Sequence, residues 1–199
     1  MAISLTDLPT ANLSSVRSDL LDLICKVAYK EGDFTLSSGK KSTYYINGKQ
    51  VTLHAQGAVM VARLLFDRLP QGTVGVGGLT LGADPMVSAL SVVSVYEKQP
   101  VTPLIIRKEA KGHGTRAYIE GPELPKGSLV VILEDVVTTG ASAMQAVNRL
   151  RDTGYEVNDI FALVDRQQGG QALYEKAGLN FQSIFTIEDL QSHWRTRQS

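Results

Sequence analysis

Short, unbroken apolar runs alternate along the chain with segments whose apolar positions recur every three or four residues. Residues 12–30 follow the second pattern: Leu20, Leu21, Ile24, Cys25 and Ala28 share one side, Asn12 or Ser14 opens the helix, and Gly32 stops it. FTLSSGKKSTYYIN, residues 34–47, places aromatic and β-branched residues about a Gly-Lys turn and predicts a hairpin. Further helices are predicted over 56–69, 86–93, 141–152, 171–177 and 188–195, and strands over 73–77, 102–106, 129–133, 159–164 and 181–184.

Strands that are continuously apolar and alternate with helices predict a parallel sheet covered on both faces. The fold class is therefore α/β, and the chain length of 199 residues suits one domain over 1–199. Ligands of such sheets bind beyond the carboxyl ends of the strands. Four polar loops follow strands here: GGLTLGAD, RKEAKGHGTR, EDVVTTGAS and DRQQGG. They are expected to gather on one edge.

Composition narrows the field. Lys plus Arg and Asp plus Glu both number 20, so there is no basic excess of the kind a general nucleic-acid surface needs. The single cysteine, Cys25, lies in a helical apolar pattern and reads as a core thiol. The first residues lack a signal-peptide pattern, no apolar run is long enough to span a bilayer, and a cytoplasmic setting is expected. One Cys and three scattered His make no zinc pattern, and neither a Walker loop nor GxGxxG is present.

The loops carry the chemistry. Thr138, Thr139, Gly140, Ala141 and Ser142 stand between a strand and a helix, where free N–H groups and the helix dipole make an anion site. Taken alone, the loop favours the plainer reading of an N-cap by Thr or Ser. Glu134 and Asp135 just upstream suit the hydroxyls of a phosphorylated sugar, or form a solvated acidic pair. Arg107, Lys108, Lys111, His113 and Arg116, with glycines at 112 and 114, suit either a loop over a polyanion or a solvated charged loop.

Together these stretches resemble a known family. VVILEDVVTTGAS resembles the phosphoribosyl pyrophosphate (PRPP) motif of type I phosphoribosyltransferases, and FTLSSGKKSTYY, RKEAKGHG and DRQQGG add a resemblance to the orotate phosphoribosyltransferases. The resemblance implies a mainly parallel sheet flanked by helices, with a small hood built from about residues 1–50 and the C-terminal segment. It implies transfer of the phosphoribosyl group from PRPP to orotate, giving orotidine 5′-monophosphate and pyrophosphate, with Mg²⁺ carried by PRPP rather than by side chains. PRPP is expected on Arg107, Lys108, Lys111, His113, Glu134, Asp135, Val136, Val137, Thr138, Thr139, Gly140, Ala141 and Ser142. Orotate is expected on Tyr45, Ile46, Thr138 and Arg166, the last facing its carboxylate. Lys111, His113 and Asp135 are the expected catalytic residues. A homodimer whose 107–116 loop reaches the neighbouring subunit's site is also implied. Some relatives carry Lys where Ser37 and Leu81 stand, so the compensating charge is expected from an arginine or lysine elsewhere, such as Lys40. A salvage enzyme for another base and a PRPP-sensing regulator are the alternatives.

Overall fold

The computed structural model describes residues 3–4, 6–35, 39, 41–111 and 118–198. The elements run α1 (Leu13–Val27), β1 (Tyr29–Thr35), β2 (Lys41–Ile46), α2 (Lys49–Thr52), α3 (Ala55–Phe66), β3 (Gly75–Leu79), α4 (Asp84–Tyr96), β4 (Thr102–Ile106) and β5 (Ile119–Glu120). They continue with β6 (Val130–Val137), α5 (Ala141–Asp152), β7 (Asp159–Asp165), α6 (Gly170–Lys176), β8 (Asn180–Thr186) and α7 (Ile187–Gln198).

Six strands form the main sheet in the order β5-β4-β3-β6-β7-β8. All neighbouring pairs are parallel except β4–β5. The apolar runs have the expected cause: β7 is buried along its whole length and β6 at every residue but Val136, as a sheet clad on both faces requires. One face packs Leu20, Leu65, Leu90 and Leu190 of α1, α3, α4 and α7. The other packs Val147, Leu150 and Tyr174 of α5 and α6.

The chain leaves β3 for β4 on one side and returns to β6 on the other. The strand order therefore reverses between β3 and β6. Loops diverge at such a point and leave a crevice at the carboxyl ends of both strands.

β1 and β2 form a separate antiparallel hairpin whose register shifts between Glu31 and Phe34. Tyr29 anchors it: its ring stacks on Tyr44 at 6.1 Å and meets Trp194 of α7 edge-on at 5.5 Å. This packing explains why the first helix stops at Val27 rather than near residue 30: Tyr29 already pairs with Ile46. Cys25 is buried, donates weakly to the Leu190 carbonyl at 3.7 Å, and has its thiol pushed up to about 11 by burial. It is a core thiol.

Two differences from the predicted elements bear on the site. β6 runs on to Val137, so Glu134 and Asp135 belong to the strand and not to a loop. The four-residue α2, which has no amphipathic pattern to announce it, brings residues 48 and 49 to the crevice.

Candidate active site

At the crevice between β3 and β6 lies a cleft of about 500 Å³, lined by Lys49, Thr80, Gly82, Lys108, Glu134 and Asp135 among others. Leu81 and Ser142 also reach it. Its floor is the acidic pair, each residue only 8% exposed. Asp135 fits because glycines face it from two sides. A Cβ on Gly82 would lie 2.5 Å from Asp135 Oδ1, and one on Gly48 would lie 2.9 Å from Oδ2. Asp135 Oδ1 also accepts the Val136 N–H at 3.0 Å. The backbone of both loops is thereby held against one carboxylate.

Glu134 stands differently. Its Oε2 is buried and has no hydrogen-bond partner among the described residues. Burial, and then the charge of Asp135 beside it, pushes its carboxyl up to about 8, against a weaker opposing pull from Lys108 and Lys49.

Next to the cleft, a pocket of about 80 Å³ is lined by Glu134, residues 136–143 and Tyr174. Val136 and Val137 complete β6, with Val137 buried in the core cluster that includes Tyr174. α5 is capped by Gly140 at φ +86°, without any side-chain cap hydrogen bond. Gly140 offers no side chain to cap the helix, and Thr138, Thr139 and Ser142 line the pocket beside the first turn of α5, whose N–H groups have no partner within the helix. Gly140 is required twice over: its φ is left-handed, and a Cβ would lie 2.9 Å from the Tyr174 ring.

The basic loop emerges from β4. The Arg107 N–H donates to the Tyr118 carbonyl at 2.8 Å, tying its two stems together. Arg107 and Lys111 both pair with Glu120, at 3.2 and 3.7 Å. Arg149 of α5 grips the same stems: it donates to the Arg107 carbonyl and, at 2.8 Å, to that of Lys108, and its guanidinium lies 4.0 Å from the Tyr118 ring centre. The helix that begins at this small pocket thus also holds the stems of the basic loop. His113, Arg116, Ser37 and Lys40 lie outside the described residues.

Arg166 follows β7 and its N–H donates to the Val137 carbonyl at 2.9 Å. Its Nε donates to Tyr44 Oη at 3.3 Å, its guanidinium lies 4.9 Å from the Tyr44 ring centre, and its Nη2 is buried without a partner. Gln168 Nε2 also donates to Tyr44 Oη, at 3.2 Å. These contacts hang the hairpin over the carboxyl edge of the sheet. Successive strand residues face opposite ways. Tyr44 therefore meets Arg166, whereas Tyr45 is 43% exposed and its ring lies tilted against Phe34 at 5.6 Å. Ile46 shares the face of Tyr44 and packs against the core. A further cleft of about 600 Å³ opens here, lined by Phe34, Ser42, Tyr44 and Gln168 among others.

Sequence reasoning missed Tyr44, Gln168, Lys49 and Arg149. Strict alternation in KSTYYI signals that Tyr44 and Tyr45 cannot share one face. No local signal marks Lys49 or Arg149, which reach the site from other elements.

The raised Glu134 carboxyl has a consequence for stability. The folded chain keeps this proton to about pH 8, while an unfolded glutamate releases it near 4.5. The destabilisation is absent below the lower value and complete above the higher one, so stability falls as pH rises between them. Urea unfolding of wild type and Glu134→Gln between pH 5 and 8.5 is expected to show the variant gaining steadily on wild type with pH. A constant difference across that range would count against the shift.

The chain also has relatives. A family model described as uracil phosphoribosyltransferase matches residues 82–181, which include the acidic pair and the pocket at the head of α5 but not the β1–β2 hairpin. An orotate phosphoribosyltransferase of Nostoc sp. (strain PCC 7120) is 63% identical over 186 residues, 94% of this chain and 90% of that one. One of Synechocystis sp. (strain PCC 6803) is 62% identical over 195 residues, 98% of each chain. The solved orotate phosphoribosyltransferase of Mycobacterium tuberculosis superposes with a TM-score of 0.77 at 36% identity, covering 88% of this chain and 98% of that one. Its complex with PRPP superposes with a TM-score of 0.73 at 32% identity, covering 88% and 99%. The relatives extend across the hairpin that the uracil model leaves out, and that hairpin carries the tyrosine which holds Arg166. The chain, a type I phosphoribosyltransferase in fold, belongs to the orotate phosphoribosyltransferase family.

Proposed function

We propose that the chain transfers the 5-phosphoribosyl group from PRPP to orotate, releasing pyrophosphate and forming orotidine 5′-monophosphate for pyrimidine synthesis. The observation that carries the choice of base is the buried, unpartnered Nη2 of Arg166. A guanidinium held by an aromatic ring with one nitrogen unpaired is suited to a ligand carboxylate, and orotate has one where uracil has a hydrogen.

The proposed roles are these. The uncapped first turn of α5 and the hydroxyls of Thr138, Thr139 and Ser142 hold the 5′-phosphate, with Val136, Val137 and Ala141 shaping that pocket by their backbone. Glu134 and Asp135 accept from the ribose hydroxyls. Arg107, Lys108, Lys111 and His113 surround the pyrophosphate. N1 of orotate bonds to C1 of the ribose as the C1–O bond breaks; the bonding pair leaves with pyrophosphate, and the N1 proton is released. Positive charge grows on the ribose ring beside Asp135 and negative charge on the leaving group beside Lys111 and His113, which stabilises both developing charges. Tyr44 orients Arg166, with Thr138, Tyr45 and Ile46 proposed to complete the orotate site.

Mg²⁺ fits this arrangement as a partner of PRPP. Among the described residues no group of three or more His, Cys, Asp or Glu side chains forms a cage. Asp135, with Glu134 beside it, next to a polyphosphate resembles the usual surroundings of a magnesium ion that keeps its waters and binds mainly through phosphate oxygens. When bound, it neutralises charge on the leaving group. The proposed assembly is a homodimer in which the 107–116 loop serves the neighbouring site. Residues 1–199 act as one catalytic domain, with a hood from about residues 1–50 and the C-terminal segment. Among the described residues no helix is long and apolar enough to cross a membrane. A cytoplasmic setting, without nucleic-acid partners, accords with the free Cys25 and balanced charge.

Loss of orotate absorbance on adding PRPP and Mg²⁺ is the expected result; turnover of uracil with none of orotate would replace this reading with a salvage one. Arg166→Ala is expected to raise the orotate KM by about 10- to 100-fold, the range for losing a charged hydrogen bond, and to leave the PRPP KM within about twofold. An unchanged orotate KM would remove Arg166 from carboxylate recognition. Heterodimers of inactive Lys111→Ala and Asp135→Ala subunits are expected to regain activity at one of their two sites. Purified heterodimers without activity would show that each site is built within one subunit.

A further inference from the structure

The cleft pairs two acidic side chains with a substrate that is itself a polyanion, so its cations decide whether the substrate is held. Arg107 and Lys111 are engaged with Glu120. Leu81, at the tip of the loop after β3, is 70% exposed and uncharged. Among the described residues, the lysines lining the cleft are Lys108 and Lys49, and neither makes an ion pair. Lys49 has a fixed address. Gly48 lies against the Asp135 carboxylate, leaving no room for a Cβ. α2 starts at the next residue, so the Lys49 stem leaves the backbone beside Asp135. Its charge also reaches Glu134, where it opposes the effect of burial.

Resting on the PRPP reading of the cleft, we infer that Lys49 is a pyrophosphate-binding residue. It supplies from α2 the positive charge that Leu81 does not supply from the β3–α4 loop. The ammonium faces the leaving group across the acidic pair from Lys108, so pyrophosphate is gripped from both walls of the cleft. A lysine serves here because a flexible stem carrying a compact charge can follow pyrophosphate as its bond to C1 lengthens.

The test uses the whole enzyme. Lys49→Gln is expected to raise the PRPP KM and the inhibition constant of Mg-pyrophosphate together, each by about 10- to 100-fold, with the orotate KM unchanged. Lys49→Arg is expected to recover most of both losses. Lys49→Gln combined with Leu81→Lys is expected to recover part, because it returns a cation from the opposite loop. An exposed side chain leaves the melting temperature near wild type, which separates this role from a structural one. Unchanged PRPP KM and pyrophosphate inhibition in Lys49→Gln would overturn the inference, as would a change confined to the pH profile of kcat. Direct calorimetric binding of Mg-pyrophosphate to wild type and Lys49→Gln keeps the two readings apart. Loss of binding in the variant supports Lys49 even if orotate is not the base, and equal binding sinks it even if orotate is turned over.

Discussion

Burying two adjacent carboxyl groups at the end of the central strand is the constraint around which the rest of this molecule is arranged. An unpaired charge in such a place costs several kcal/mol, and the fold meets that cost in different ways at the two positions. Asp135 is surrounded by backbone, with glycines closing on it from two loops and an N–H donated from its own strand. Glu134 is left with a buried oxygen unsatisfied and a carboxyl that holds its proton to about pH 8. A strand designed only to fill a core would carry neither residue. Their presence suits the PRPP reading proposed for the cleft, in which ribose hydroxyls would donate to them and Mg²⁺ would arrive with PRPP.

The switch in strand order is what lets one small site answer that demand. Because the chain diverges from β3 and comes back to β6, the loops after both strands open onto a common crevice. α5 then links two functions that are far apart in sequence. Its first turn lines the small pocket beside the cleft, and Arg149, two turns further on, holds the stems of the basic loop. The pocket at the head of α5 and the stems of the basic loop are thereby referred to one helix. The geometry between them depends on helix length, not on loop conformation.

Much of this was legible in the chain itself, for definite reasons. A buried parallel sheet needs uninterrupted apolar strands, and VVIL and DIFALV declare themselves by that alone. The site loops were legible because each begins where such a run ends. What stayed hidden was of two kinds. The exact reach of β6 was concealed because polar residues at a strand end look like a loop until pairing with β7 extends it. The partners brought by other elements, Lys49 and Arg149, lie on segments whose local patterns describe only a short turn and an ordinary amphipathic helix. Tyr44 is intermediate: period-two alternation separates it from Tyr45, but only the cation–π contact says which of the two meets Arg166.

The same accounting explains how a site can lack a charge at one position and still hold its polyanion. Electrostatic attraction across a water-filled cleft depends on where the charge sits, and hardly on which loop delivers it. With Leu81 neutral, a cation on the opposite wall at Lys49 restores the potential at the leaving group, provided its backbone is pinned close enough. Gly48 against Asp135 is that pin. Asp135, one of the two buried acids, is thus also the contact that places the proposed compensating cation, so removing its carboxylate is expected to loosen the placement of Lys49.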